Sequence, residues 1–419
     1  MTTPTRLERN LPGILDDLSA GPTPDYLDDL FVRTGRMRQR PAWTHPERWL
    51  PMSDITRPRV FTFAPPWRTI ALVLVVIALL AGAAFVYVGS QRRVPAPFGP
   101  AANGLLTYGA DGDIYVGDPV TGATRLVVGG ATDDHDPGYS PDGVLIAFIR
   151  SVNAIDNDLY TVRPDGTDLK RVMTFPNQEP WVNWAPDSRH FGVIHSVGGH
   201  KQFDLLGLDG QSQRLSAGDM DLDSFSYRPP MAQEILFRSV KDGHPGLYAM
   251  AADGTNIRPL ITTSNPDNPE DLSNAVYSAD GTRIYFTKQV QVNPGNGCCH
   301  QLWVMDADGS NAHRFVSDAD DEGLPSVSPD GQWVAFWRGD AQRIAVVRAD
   351  GSGPVILTGP TLSGLAEWNW APDSSKLVMA PSDAADGAPH VYLLDPAGGR
   401  ETTTAIQAGK VPDWQRLAP

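Results

Sequence analysis

Tyr139–Phe148 reads YSPDGVLIAF: an aromatic residue, a Ser-Pro-Asp-Gly turn, then an unbroken apolar run. Proline presets φ for the turn, Asp bonds backbone amides two residues on, and Gly supplies the positive φ that closes it. A tight turn between two β-rich runs describes a hairpin. The same order of residues returns as WAPDSRHFGVI from Trp184, YSADGTRIYF from Tyr277, VSPDGQWVAF from Val327 and WAPDSSKLVM from Trp370, with a worn copy, YRPPMAQEILF, from Tyr227.

A second element is a strand that ends in another Gly turn, as in LYTVRPDG, LYAMAADG and LWVMDADG. Its glycines stand at Gly122, Gly166, Gly210, Gly254, Gly309, Gly351 and Gly398, with spacings of 44, 44, 44, 55, 42 and 47. A further short strand such as TRLVV, LKRVM or AHRFV follows most copies. Four short strands per period of this length is the unit of a β-propeller blade. The fold class is therefore all-β.

These Tyr/Trp-Ser-Pro-Asp-Gly and Leu-Tyr-x-x-x-x-Asp-Gly elements resemble the repeats of TolB-like, WD-related bacterial propellers over residues 104–416. That resemblance implies six blades, the number common in the family, so the count has to be argued from the chain. Residues 105–416 number 312, and 312 divided by seven is about 44.6, the observed period. Leu105-Leu106-Thr107-Tyr108 has no inner strand before it, and Val411-Pro412-Asp413-Trp414-Gln415 is an inner strand with no blade after it. Joining the two completes a seventh blade and leaves no open sheet edge. Seven blades are expected, with six or eight as the alternatives.

Before the repeats, Thr69–Gly89 runs for 21 residues without a charge, flanked by Arg68 and Arg92. A helix of that length reaches about 31 Å, enough to cross a hydrocarbon core of about 30 Å. Since 68 residues precede it, the segment reads as an uncleaved signal anchor rather than a signal peptide. Arg33, Arg36, Arg38, Arg40, Arg48, Arg57, Arg59 and Arg68 outweigh Arg92 and Arg93 on the other side, which places the N-terminus in the cytoplasm. The expected organisation is a cytoplasmic segment 1–68, a transmembrane helix 69–89, a linker 90–103 and an extracytoplasmic propeller 104–416, in a single-pass protein of the cell membrane.

The formal net charge of −15 divides along the same line: residues 1–68 carry ten Lys/Arg and eight Asp/Glu, residues 91–419 carry 24 and 41. So acidic a propeller disfavours nucleic-acid phosphates and suits basic or cationic partners. Acidic residues recur just ahead of each inner strand, where propeller loops gather around one mouth of the central channel. Asp134, Asp136, Glu179, Asp223, Asp271, Asp321, Glu367 and Asp413 form the expected acidic funnel, with His135 beside the first two. Against it stands the simpler account that each carboxylate caps its own turn. Asp219-x-Asp221-x-Asp223 is not an EF-hand, since Ser224 and Pro230 occupy the positions of its Gly and Glu.

Cys298, Cys299 and His300 offer two thiols and an imidazole in an insert, short of a fourth metal ligand. No cofactor signature is present. Neither is a Gly-x-Ser-x-Gly elbow, a His-Glu-x-x-His or a Walker loop, and the peptidases with similar propellers append a hydrolase domain, so no enzyme is expected. The reading is a membrane protein that presents a propeller as a binding or sensing module for a protein or peptide.

The N-terminal segment supports a second reading. Thr23-Pro24-Asp25 opens a helix with Tyr26, Leu27, Leu30 and Phe31 on one face, and RMRQRPAWTHPERWLPM follows from Arg36. A small helical segment, a span and an external propeller are similar to bacterial transmembrane anti-sigma-type regulators, which implies a sigma factor bound to residues 1–68. The family's zinc-binding His-x-x-x-Cys-x-x-Cys is missing. A third reading is an envelope protein-interaction scaffold.

Overall fold

The computed structural model describes residues 70–79, 94–215, 221–241, 243–263, 272–290, 299–316, 321–353, 355–361, 368–380, 390–398, 401–407 and 412–418. The chain forms two units, Met1–Gly89 and Ser90–Pro419. In the first, the described part is a helix over 70–79, all of it exposed. No helix among the described residues is long and apolar enough to cross a membrane. The rest of the expected span, and all of 1–68, lie outside the described residues.

The second unit is a propeller of seven four-stranded antiparallel sheets. Blade 1 takes its inner strand, Asp413–Leu417, from far along the chain and its other three, Ala102–Ala110, Asp113–Gly117 and Thr124–Val128, from the start of the unit. Blade 2 is continuous: Asp133–Tyr139, Ile146–Ser151, Asn157–Val162 and Lys170–Phe175, from the inside out. The inner strands of blades 3 to 7 are Trp181–Trp184, Asp221–Tyr227, Leu272–Tyr277, Glu322–Val327 and Trp368–Trp370.

Side-chain chemistry explains why the repeated turns hold. Ser140 Oγ donates to Asp142 Oδ1 at 2.5 Å and accepts from the Leu145 amide at 2.9 Å, while Asp142 Oδ1 accepts from the Val144 amide at 3.1 Å. Gly143 sits at φ +68°, and a Cβ there would stand 2.2 Å from the Arg416 carbonyl oxygen of blade 1. The two Trp-led copies put serine at the left-handed position, Ser188 at φ 58° and Ser374 at φ 65°. Each serine hydroxyl then accepts an amide from the preceding blade, Asp142 at 3.0 Å and Asp330 at 2.9 Å. A turn residue thus doubles as a link between blades.

Seven apolar clusters hold the ring, one at each junction between neighbouring blades. Ile114, Val116 and Val128 of blade 1 meet Tyr139, Ile146 and Phe148 of blade 2. At the junction of blades 7 and 1, Val378, Val391 and Ile406 pack against Leu106, Tyr108 and Trp414. Complete burial of each such side chain contributes about 1.5–3 kcal/mol, so the core is distributed around the ring rather than centred. Blade 4, which carries the worn repeat, remains complete at four strands.

Candidate functional site

The inner strands of blades 2 to 7 each end on the residue that starts the turn motif. In four of these inner strands the ladder slips one step: between His135 and Gly138, between Leu222 and Ser224, between Ser273 and Val276, and between Gly323 and Ser326. At three of these slips one residue takes a left-handed conformation, Asp136 at φ 52°, Asn274 at φ 50° and Leu324 at φ 54°. Such bulges re-aim side chains and are common beside functional sites. All three residues line channel cavities.

Blade 3 fills the equivalent position with Trp181, which is 43% exposed. Trp181 and Trp368 of blade 7 form a shared wall between two cavities. One, of about 490 Å³, is lined by Asp136, Gly138, Pro180, Asn183, Trp184 and Asn369 among others. The second, of about 260 Å³, is lined by Ser224, Phe225, Asn274, Leu324 and Ser326 among others. The walls are rigidly set: Trp184 Nε1 donates to the Gly138 carbonyl at 3.0 Å, Trp370 Nε1 to the Ser326 carbonyl at 3.2 Å, and Asn369 Nδ2 to the Pro412 carbonyl at 3.2 Å. Trp368 is 8% exposed and its indole N–H has no hydrogen-bond partner among the described residues. Aromatic faces with a few amides and hydroxyls are the usual lining of a ligand pocket.

The carboxylates expected to converge on the channel separate into distinct environments. Asp134 is 1% exposed and forms a two-pronged ion pair with Arg150, at 2.6 and 2.7 Å, inside blade 2. Asp223 pairs with Arg238. Asp413 accepts the Tyr139 amide at 2.7 Å across the ring closure, and burial raises its carboxyl to about 6 against the pull of that amide, the Trp414 amide and the Arg416 charge. Asp321 lies 3.5 Å from His300 Nδ1 and lines a separate cavity of about 450 Å³ with Glu322 and Trp337. Glu322 itself is fully buried and accepts the Leu302 amide at 3.2 Å. Asp271, Glu367 and Cys298 lie outside the described residues, and Cys299 stands opposite Val290 in blade 5.

What the structure does bring together is Asp136 and Glu179, with His135. One ligand atom from each lies within 4.8 Å of the others, which makes this the group able to hold a metal among the described residues. Trp181 and Trp368 were missed as site residues. The signal was in the register: counting back three residues from Tyr139, Trp184, Tyr227, Tyr277 and Val327 gives Asp136, Trp181, Ser224, Asn274 and Leu324, a position without a repeated residue type amid otherwise repetitive strands.

No family model matches the chain. Among curated proteins, an uncharacterized protein of Agrobacterium fabrum is 25% identical over 252 residues, covering 56% of this chain and 80% of its own. The Tol-Pal system protein TolB of Anaeromyxobacter dehalogenans is 38% identical over 166 residues, 38% of this chain and 34% of that protein. The chain thus spans about a third of that relative's length. The propeller is TolB-like.

Solved structures of similar shape include a prolyl endopeptidase, with a TM-score of 0.54, 13% identity and coverage of 74% of this chain and 50% of that one. Another is an oligogalacturonate lyase in complex with manganese, with a TM-score of 0.52, 12% identity and coverage of 72% and 84%. These share the fold alone, but they correct the expectation that the chain is not an enzyme. An uncharacterized peptidase of Bacillus subtilis, 22% identical over 210 residues, points the same way. The match covers 84% of the lyase chain, so a propeller enzyme does not need an appended hydrolase domain.

Proposed function

We propose that this protein is a membrane-anchored, TolB-like propeller that binds a protein or peptide partner at the mouth of its channel, with the propeller outside the cell membrane. The observation that carries the reading is Trp181: an indole 43% exposed, held inside a concave wall and shared by two cavities. Buried aromatic anchors dominate protein recognition, and a half-covered indole is ready to become one. The likeness to TolB, a protein named for a multi-component system, supports a protein partner. The apolar stretch Thr69–Gly89 supports the anchor, and the Arg bias supports the orientation. The sigma-factor reading of residues 1–68 rests on residues outside those described, and no structural observation favours it.

A photo-crosslinking residue placed at position 181 in cells tests the partner, with Val120, 89% exposed, as the control position. A discrete adduct at 181 and none at 120 is expected. The same adducts at both, or none at 181, overturn the reading. A reporter fused after Pro419 tests the topology: activity confined to the cytoplasm would overturn the orientation.

A further inference from the structure

Building on the reading of the channel mouth as the partner's seat, we infer that a side cavity at the junction of blades 5 and 6 receives a basic side chain of that partner, a lysine ammonium or an arginine guanidinium.

The cavity, of about 450 Å³, adjoins the channel. Asn274 of blade 5 and Leu324 of blade 6, the left-handed residues at the slips of their strands, line both it and the 260 Å³ cavity that Trp181 walls. A chain seated on Trp181 therefore has the side cavity next to it.

The lining is acidic. Asp321 and Glu322 contribute to it, and no lysine or arginine does among the described residues. Glu322 is fully buried, accepts the Leu302 amide at 3.2 Å and has Arg314 Nη2 at 3.8 Å, so a cation of the protein already faces it. Asp321 differs. The basic group beside it is the His300 imidazole, 3.5 Å away, and no lysine or arginine pairs with it among the described residues. Its side chain is half exposed, while its backbone is fixed: the N–H donates to the His300 carbonyl at 2.8 Å and the carbonyl accepts the Gly339 amide at 2.7 Å. A carboxylate positioned by its main chain and open to a cavity is preorganised for a cation from outside.

An independent observation points to a donor entering the same space. Thr287, on the second strand of blade 5, Arg283–Val290, is 1% exposed, and its hydroxyl has no hydrogen-bond partner among the described residues. It lines the cavity together with Gly323 of blade 6. A Cβ added to Gly323 would have the Thr287 hydroxyl as its nearest neighbour, at 3.5 Å. The hydroxyl thus faces a notch that a missing side chain leaves in the cavity wall. A buried hydroxyl without a partner is costly, and an incoming N–H relieves it. An anion could also bond that hydroxyl, but it would meet the Asp321 charge. Ammonium and guanidinium groups only donate, and they suit a hydroxyl oxygen and a carboxylate together. The propeller's 41 acidic against 24 basic residues steer a partner of that charge.

The test titrates n-butylammonium and n-butylguanidinium chloride, with n-butanol as the neutral control, into the full chain in non-ionic detergent, followed by saturation-transfer NMR of the probe. Both cations are expected to bind saturably and butanol is not, and the tighter cation tells lysine from arginine. Asp321 sits at φ 78°, which Asn tolerates, so Asp321→Asn should keep the fold and weaken both cations about tenfold. Thr287→Val should weaken them about threefold while leaving the urea midpoint at or above the parent's, because it removes a hydroxyl that nothing in the folded chain satisfies. Trp181→Ala should leave their affinity as it is. No saturable cation binding, equal binding of butanol, unchanged affinity in Asp321→Asn, or a lowered urea midpoint in Thr287→Val would each overturn the site. Cation binding without a cross-link at position 181 would remove the partner and keep the cavity, and a cross-link without cation binding would do the reverse.

Discussion

The junction that closes the ring, between blades 1 and 2, and the one behind the worn repeat, between blades 4 and 5, press a glycine turn against the neighbouring blade in the same way. A Cβ on Gly143 would stand 2.2 Å from the Arg416 carbonyl oxygen, and one on Gly281 would stand 2.1 Å from that of Pro229. Behind the turns the two differ. At the closure a single half-buried carboxyl, Asp413, accepts the Tyr139 amide, and Gln415 Nε2 donates to the Gly143 carbonyl at 2.8 Å. At the worn repeat Glu234 accepts from Tyr277 at 2.7 Å, from Arg258 at 2.9 Å and from Arg228 at 3.1 Å, and Arg228 also donates to the Gly281 carbonyl. One junction hides a charge with little opposing it, and the other surrounds a charge with opposite ones. The lost motif residues of blade 4 are replaced by a network that needs its carboxylate ionised.

The largest expected effect comes from striking the shared feature. Gly143→Val meets both the positive φ and the Arg416 carbonyl, and should cost about 4 kcal/mol in urea unfolding. Glu234→Ala strips two arginines and a tyrosine of their acceptor and should cost about 3 kcal/mol, with Glu234→Gln recovering part of it.

The junctions should also answer pH with opposite sign. Asp413 has a folded-state value of about 6, above the ordinary 3.8, so folding favours its protonated form. Its contribution is fully present below about pH 4 and is lost as pH rises to about 6, a change of about 2 kcal/mol. Asp413→Asn keeps an acceptor for the Tyr139 amide and should remove that slope from urea midpoints measured between pH 4 and 7. For Glu234, burial pushes the carboxyl up, but hydrogen bonds from Arg258 and Tyr277 and the charges of Arg258 and Arg228 hold it below its usual value. Its contribution is present at neutral pH and is lost as pH falls through that lowered value, a loss that Glu234→Gln should abolish. Trp181→Ala, far from either junction, should change stability by less than about 1 kcal/mol while removing the cross-linked partner.

Much of the fold was legible because its determinants are local. Ser140, Asp142 and Gly143 act on atoms within five residues of themselves, so a short motif reports a turn wherever it recurs. The blade count followed from the period, and the closure from an inner strand left over near Asp413. The site was less legible, because facing the channel depends on bulges that no motif announces. Asp134 and Asp136 are two residues apart, yet one is sealed against Arg150 and the other stands in the cavity wall, because the ladder slips between His135 and Gly138. The partners of Asp223, Asp321 and Asp413 are likewise long-range and invisible to spacing.

The clasp that joins Thr107 to Asp413 also sets a schedule for making the protein. These paired residues are 306 positions apart in the chain (413 − 107). At a synthesis rate of about 5–20 residues per second, the later strand reaches the earlier one about 15–60 s after it emerges. Throughout that interval the inner edge of Ala102–Ala110 carries unpaired backbone groups, a template for any other strand nearby. Blades 2 to 7 can each form as soon as their own residues are complete, whereas blade 1, the first to begin, is the last to finish. A newly made chain is therefore most exposed to strand exchange and to proteases at its oldest sheet.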